Sequence, residues 1–277
     1  MRATIPGTGL VASRLGLGTE SLHRLRGRAR ADLLDAAYDL GVRYVDSAPL
    51  YGHGIAEREV GRFVARCRAR GGEGIVVGIK VGRVADPLMT RFPALVRPNM
   101  ILRGVARKAL RRPVAAAPHR FDPAWIRESV EASLSRLGVD CIDIAYLHEP
   151  PATLADSAAD VAAALQRMIS EGKVRTIGIS GHAVDALRIA ARQPDIAAVV
   201  QVDARDGRVA LEALRAAGRP VQVSFEHLAP APGMPAAASD LDAMRAAAGF
   251  NESGVIVVST PDRGRLADCA RALDNAT

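Results

Sequence analysis

The chain has 277 residues, 49% of them hydrophobic, with 37 Lys and Arg against 30 Asp and Glu and a formal charge of +7. That supplies a large core, yet no run approaches the roughly 18 apolar residues of a membrane span, and the opening M-R-A-T-I-P-G lacks a signal peptide's apolar segment. The positive charge alone does not argue for a nucleic-acid partner, because aromatics are only 4% and no nucleic-acid-binding motif is present.

The first 13 residues read as a short hairpin turned at Gly7 and Gly9. Eight short apolar runs follow, at 15–18, 43–46, 75–80, 142–147, 174–179, 198–202, 220–225 and 254–258, each with the length and content of a buried strand. Amphipathic helices are expected between and after them, near 29–40, 57–70, 124–137, 156–171, 184–192, 207–217, 238–248 and 262–274. Strand–helix alternation argues for a parallel sheet with helical crossovers. Eight repeats in a chain close to the roughly 250 residues of a TIM barrel make the expected fold α/β, a single (β/α)8 barrel with an N-terminal hairpin. No low-complexity linker divides it, so 1–277 is read as one domain. One segment breaks the rhythm. Residues 83–122 form a long insertion after the third barrel strand, rich in Arg and leaving directly from the rim. It reads as a lid or substrate loop, the other reading being a solvated surface loop. Cys67, Cys141 and Cys269 are odd in number, widely spaced and without a C-x-x-C, which fits reduced thiols and a cytoplasmic protein.

The polar residues gather where three apolar runs end. V-R-Y-V-D-S-A-P-L-Y-G carries Asp46 and Tyr51, G-I-V-V-G-I-K ends in Lys80, and I-D-I-A-Y-L-H ends in His148. In a parallel barrel these ends converge on one face, where polar groups signal chemistry rather than core. Lys occurs only at 80, 108 and 173, so one closing an apolar strand stands out. Taken singly, Asp46 reads equally as a turn residue and Tyr51 as a packing residue. Together they form a proton relay. Lys80 stabilises the phenolate of Tyr51 and draws its pKa down from about 10, Asp46 orients Lys80, and His148 hydrogen-bonds a substrate oxygen. Such a set protonates a developing alkoxide or deprotonates an alcohol, provided hydride is supplied. The residues name no hydride source: G-L-G-T-E-S at 16–21 lacks the third glycine of a dinucleotide fingerprint. G-I-S-G-H at 178–182 has His where a nucleophile elbow requires Gly.

This constellation, with L-G-L-G-T at 15–19, K-V-R-T-I-G-I-S at 173–180 and S-T-P-D-R-G-R-L at 259–266, resembles the aldo-keto reductases, and D-S-A-P-L-Y-G-H-G-I-A-E-R-E-V-G resembles their aldose-dehydrogenase-like branch. The resemblance spans nearly the whole chain. It implies an oxidoreductase interconverting a carbonyl and an alcohol with NADP(H), NAD(H) being the other option, bound extended across the barrel. It implies Asp46, Tyr51, Lys80 and His148 as the catalytic tetrad. It places Ser180 and Gln201 on the nicotinamide carboxamide, Phe225 on the ring and Leu228 near the pyrophosphate, with Gly18 and Thr19 in the first strand's turn. Ser259, Thr260, Arg263 and Arg265 fall where the family holds the adenosine 2′-phosphate. The chain departs from the family at Gly181, where Asn is usual, and at Ser259, and the family's C-terminal substrate loop reads as largely missing. The implied partner is a small carbonyl or sugar-like molecule, which the basic insertion would let be anionic.

Two other classes stay open. A cofactor-sensing or scaffold protein on the same fold would bind the dinucleotide with little turnover. A metal-dependent barrel hydrolase would use His23, His53, His148, His182 and His227 with nearby Glu20, Glu149 and Glu226, although no H-x-H or H-E-x-x-H spacing occurs and Lys80 would repel a cation. No metal is expected.

Overall fold

The computed structural model describes residues 2–72, 74–96, 98–102, 117–229, 237 and 239–275. Within them the apolar runs form strands β3 Leu15–Gly18, β4 Tyr44–Ser47, β5 Val76–Val81, β6 Ile142–His148, β7 Val174–Gly181, β8 Val199–Asp203, β9 Val223–Phe225 and β10 Val255–Val258. They pair in parallel in chain order, and β10 returns to β3, closing an eight-stranded barrel. Strands β1 Arg2–Thr4 and β2 Val11–Ser13 form the expected antiparallel hairpin. Just after β1, Ile5 is buried against the barrel-interior side chains, and the Gln222 side chain donates to the Pro6 carbonyl at 2.6 Å, tying the hairpin to the barrel.

Helices α1 Arg28–Asp39, α2 Ile55–Ala69, α4 Pro123–Leu137, α5 Ala158–Ser170, α6 Ala183–Arg192, α7 Gly207–Ala216, α8 Asp240–Phe250 and α9 Arg263–Asp274 flank the barrel, and the short α3 Pro87–Arg91 lies in the insertion. The apolar stripes of the helices and the outward strand residues, among them Leu34, Phe63, Ile126, Leu165, Ile189 and Leu266, form the main core. None of the described helices is long and apolar enough to cross a membrane.

The barrel interior is a second, smaller core. Tyr44 and Tyr146 are fully buried there with their hydroxyls 3.0 Å apart, each satisfying the polar group of the other. Gly78 and Gly178 make the room: a Cβ would lie 2.8 Å from the Tyr44 hydroxyl at the first and 2.8 Å from the Tyr146 ring at the second. One strand is shorter than expected, for a visible reason. Before β9, the Gln222 side chain accepts from the Val200 amide at 2.8 Å, taking the place of a bond to β8, while its carbonyl still accepts from the Val255 amide of β10 at 2.9 Å.

The insertion leaves and re-enters through a pinch. Val84 donates to Pro118, Arg120 donates to Gly82 at 2.7 Å, and Arg83 pairs with His119 as a single antiparallel bridge. The segment between is therefore an excursion anchored at the rim of β5. Within it, M-I-L-R-G-V-A-R-K-A-L-R-R at 100–112 reads as a short basic amphipathic helix, of which 103–112 lies outside the described residues.

Candidate active site

Asp46 and Lys80 lie on neighbouring strands, at the register positions Asp46↔Gly78 and Lys80↔Tyr146, and His148 closes β6 opposite Ser180. All three side chains are buried. Tyr51 arrives from the turn after β4, where its amide donates to the Ala48 carbonyl and two following residues, Gly52 and His53, take positive φ. A Cβ at Gly52 would lie 2.5 Å from the His23 side chain, so glycine lets the turn press against the segment after β3. Thr19 sits beneath, its hydroxyl donating to the Asp46 carbonyl at 2.9 Å and holding the strand end in place.

The Lys80 ammonium donates to one Asp46 carboxylate oxygen and, at 2.9 Å, to the Tyr51 hydroxyl. The other Asp46 oxygen accepts from the Gln201 amide at 2.6 Å. The Tyr51 and His148 rings meet edge to face with centroids 6.3 Å apart, and the Phe225 ring centroid is 5.5 Å from the ammonium. Burial by itself pulls Lys80 down, but the Asp46 carboxylate and Tyr51 outweigh it, so its pKa is raised and the ammonium persists. Burial pushes the Tyr51 phenol up to about 12, against the downward pull of Lys80. The expected lowering is thus present as a contribution and is overcome by desolvation. Burial and then the charges of Lys80 and Arg83 hold His148 well below the usual imidazole range, so it is neutral at neutral pH.

These groups floor a cleft of about 340 Å³ whose rim is strongly polar. Arg83 pairs with Glu149 at 2.6 Å, Arg205 clasps the Asp203 carboxylate through two nitrogens, and Glu20, His23 and Glu226 complete the wall. Burial raises the Glu226 pKa, Arg205 opposing. Across Glu20, Glu226 and Ser259 the cleft continues into a second hollow of about 240 Å³ lined by Arg24, Leu228 and Arg265. A larger hollow, about 540 Å³, lies at the N-terminal ends of β5 and β6 near Leu10, Cys67 and Asp140, away from the relay.

Two buried polar atoms beside the relay find no partner among the described residues: Ser180 Oγ and Gln201 Oε1. The two residues are register neighbours on β7 and β8. A hydroxyl and a carbonyl oxygen left side by side match a primary amide, which offers one acceptor and a pair of donors.

The remaining expected residues separate. Gly18 lies against Ser259, where a Cβ would come 2.1 Å from the hydroxyl. Thr260 is buried and accepts from the Asp262 amide at 3.1 Å, a turn contact rather than a cleft contact. Arg263 lines a different hollow, with Leu25 and Asp32. The histidines also have their own partners: His23 with the Glu20 carbonyl, His53 with the Asp86 amide, His182 with Asp206 and His227 with Ser224. Among the described residues no three His, Cys, Asp or Glu side chains gather as metal ligands would.

Residues 14–205 match the sequence model of the Aldo/keto reductase family. The chain belongs to the aldo/keto reductase family. It is 33% identical over 261 residues to the D-threo-aldose 1-dehydrogenase of a Pseudomonas species, spanning 92% of this chain and 70% of that protein. It is 28% identical over 193 residues to the aldo-keto reductase yakc [NADP(+)] of Schizosaccharomyces pombe, spanning 67% of this chain but only 47% of that one. The fold matches an aldo-keto reductase of Klebsiella pneumoniae solved in complex with NADPH, with a TM-score of 0.65 at 20% identity over 99% of this chain and 90% of that one.

One aldo/keto reductase departure has a structural reason. Gly181 takes a φ of +152°, and a Cβ there would lie 3.1 Å from the Glu149 Cα. Glu149, itself at positive φ, donates its amide to the Ser180 carbonyl at 2.7 Å. The loop after β6 thus packs directly against Gly181. The sequence placed Glu20, Glu149 and Glu226 just after strand ends on the active face, and all three line the cleft; it did not reveal Arg205, which also lines it. The placement of Arg205 just after the end of β8 was the available signal.

Proposed function

We propose that this protein interconverts a carbonyl and an alcohol with NADP(H), with Tyr51 as general acid and base. The carrying observation is the buried Asp46–Lys80–Tyr51 hydrogen-bonded series opening beside neutral His148. A nicotinamide held by Ser180 and Gln201 would supply hydride for a carbonyl, or take it from an alcohol. Tyr51, neutral at pH 7 with its pKa near 12, is the donor that protonates the alkoxide oxygen in reduction. Lys80 lies against the phenol oxygen and steadies the phenolate left behind, while Asp46 keeps Lys80 charged and aimed. His148 hydrogen-bonds the substrate oxygen and orients it toward Tyr51.

The unpartnered Ser180 hydroxyl and Gln201 oxygen would hold the carboxamide, with Phe225 against the ring, Gly18 and Thr19 supporting the first turn and Leu228 along the middle. Ser259 and Arg265 would face the adenosine end, Arg263 and Thr260 contributing from the same turn. The likeness to an aldose dehydrogenase, together with a rim of Arg83, Glu149, Arg205 and Glu226, supports a polyhydroxylated, sugar-like substrate. Arg83 and the basic insertion 83–122 extend that to anionic sugars, with the insertion as cover. We read 1–277 as one domain, and free Cys67, Cys141 and Cys269 fit a reducing, cytoplasmic setting.

Tyr51→Phe removes the transferable proton and leaves the dinucleotide contacts. Turnover is expected to fall by about 10²-fold or more, while NADPH still quenches protein fluorescence with wild-type affinity. Wild-type turnover in the variant would refute the assignment.

A further inference from the structure

A dinucleotide whose amide end meets Ser180 and Gln201 must lay its other end along the continuation of the cleft, past Ser259 and Leu228 toward Arg265. There the chain has already supplied an anion. The Asp240 carboxylate accepts from Arg265 Nε at 2.7 Å and from a terminal guanidinium nitrogen at 2.7 Å, a bidentate pair. Asp240 opens α8 with Ser239 as its N-cap, so the helix dipole favours its negative charge. Arg265 holds its pKa below the usual carboxylate range. The next candidate anchor is also taken: the Asp262 side chain caps α9, accepting from the Gly264 amide at 2.7 Å and the Arg265 amide at 3.2 Å. Of the cations near this end, Arg24 and Arg263 are exposed, and Arg263 faces away into its own hollow.

We propose that Asp240 is a cofactor-specificity residue that occupies the guanidinium of Arg265 and so restrains this site's preference for a nucleotide carrying a 2′-phosphate. The inference rests on the dinucleotide reading above. To grip a phosphate, Arg265 must exchange a bidentate carboxylate for it. The displaced Asp240 then remains beside a second anion, where like charges repel across a partly desolvated gap. A nucleotide ending in a free ribose hydroxyl requires no exchange, and its affinity is independent of the pair. The carboxylate therefore reduces the advantage that a 2′-phosphate would otherwise gain from Arg265.

The test is calorimetric titration of 2′,5′-ADP and 5′-ADP into wild type, Asp240→Asn and Asp240→Asn/Arg265→Ala. Asp240→Asn is expected to tighten 2′,5′-ADP on the order of tenfold, about 1.4 kcal/mol, and to leave 5′-ADP unchanged. Adding Arg265→Ala should abolish the gain. Asp240→Ser, which preserves a helix-starting side chain, repeats the measurement if the Asn variant unfolds. If both nucleotides bind and their affinity ratio is the same with and without the carboxylate, Asp240 has no such role and the dinucleotide reading stands. If neither the two nucleotides nor NADPH binds wild type, both readings fall.

Discussion

Lys80 and Tyr51 share one hydrogen bond, and their opposing effects set the pH behaviour of the site. Burial holds the phenol near 12, and Lys80 is the group pulling it down. Reduction needs the neutral phenol, so its rate should stay flat through neutral pH. Oxidation needs the phenolate, so it should climb with pH throughout the range below 12. Lys80→Met removes the downward pull and moves the phenol higher, so the rising limb of the oxidation profile should shift upward. A profile that shifts downward, or not at all, in steady-state kinetics across pH would show that Lys80 does not tune Tyr51. At this scale the gathering of Asp46, Tyr51, Lys80 and His148 was legible because Asp46, Lys80 and His148 each end an apolar run, and in a parallel barrel these ends converge on one face. The pairs Arg83–Glu149 and Arg265–Asp240 were not legible. They join positions 66 and 25 residues apart, and nothing local to either residue marks its partner. The net elevation of Tyr51 was hidden for a related reason, since desolvation depends on packing that no motif states.

The strand–helix alternation supplied element types and order, because a period near two or 3.6 survives any later packing. What it missed were features made by distant side chains, such as the Gln222 side chain taking the place of a bond to β8. The base of the insertion is another. Gly82 takes a φ of +105°, and a Cβ there would lie 2.0 Å from the Phe121 ring. Glycine lets the two arms of the insertion close against each other beside Arg83, a cleft-lining residue. Gly82→Ala should therefore cost roughly 1–3 kcal/mol in denaturant unfolding through strain and overpacking. It should also raise KM more than it lowers kcat, because Arg83 shifts while Asp46, Lys80 and His148 on β4, β5 and β6 stay. Unchanged stability and unchanged KM would mean that the pinch does not position the rim.

Over the whole molecule, the barrel gathers at the C-terminal ends of its strands the hydrogen-bonded Asp46–Lys80–Tyr51 series, His148 and, among the described residues, two unpartnered polar atoms from β7 and β8. A continuous cleft leads from there past β10 to α9. Core residues fix this arrangement without taking part in it: the paired tyrosines fill the interior, and the helices cover the outside. The division explains why the fold could be read from strand patterns and the family from motifs at strand ends, while the substrate could not, since the rim is built from loops whose spacing carries no period. We propose that this face exchanges hydride between a nicotinamide and a carbonyl–alcohol pair. The most direct measurement of that exchange is nicotinamide absorbance in steady state, with NADPH and an aldehyde panel in one direction and NADP+ and an aldose panel in the other. The account predicts cofactor-dependent turnover of at least one polyhydroxylated aldehyde or aldose by wild type. Tight dinucleotide binding with no turnover of any carbonyl or alcohol in either direction would contradict it.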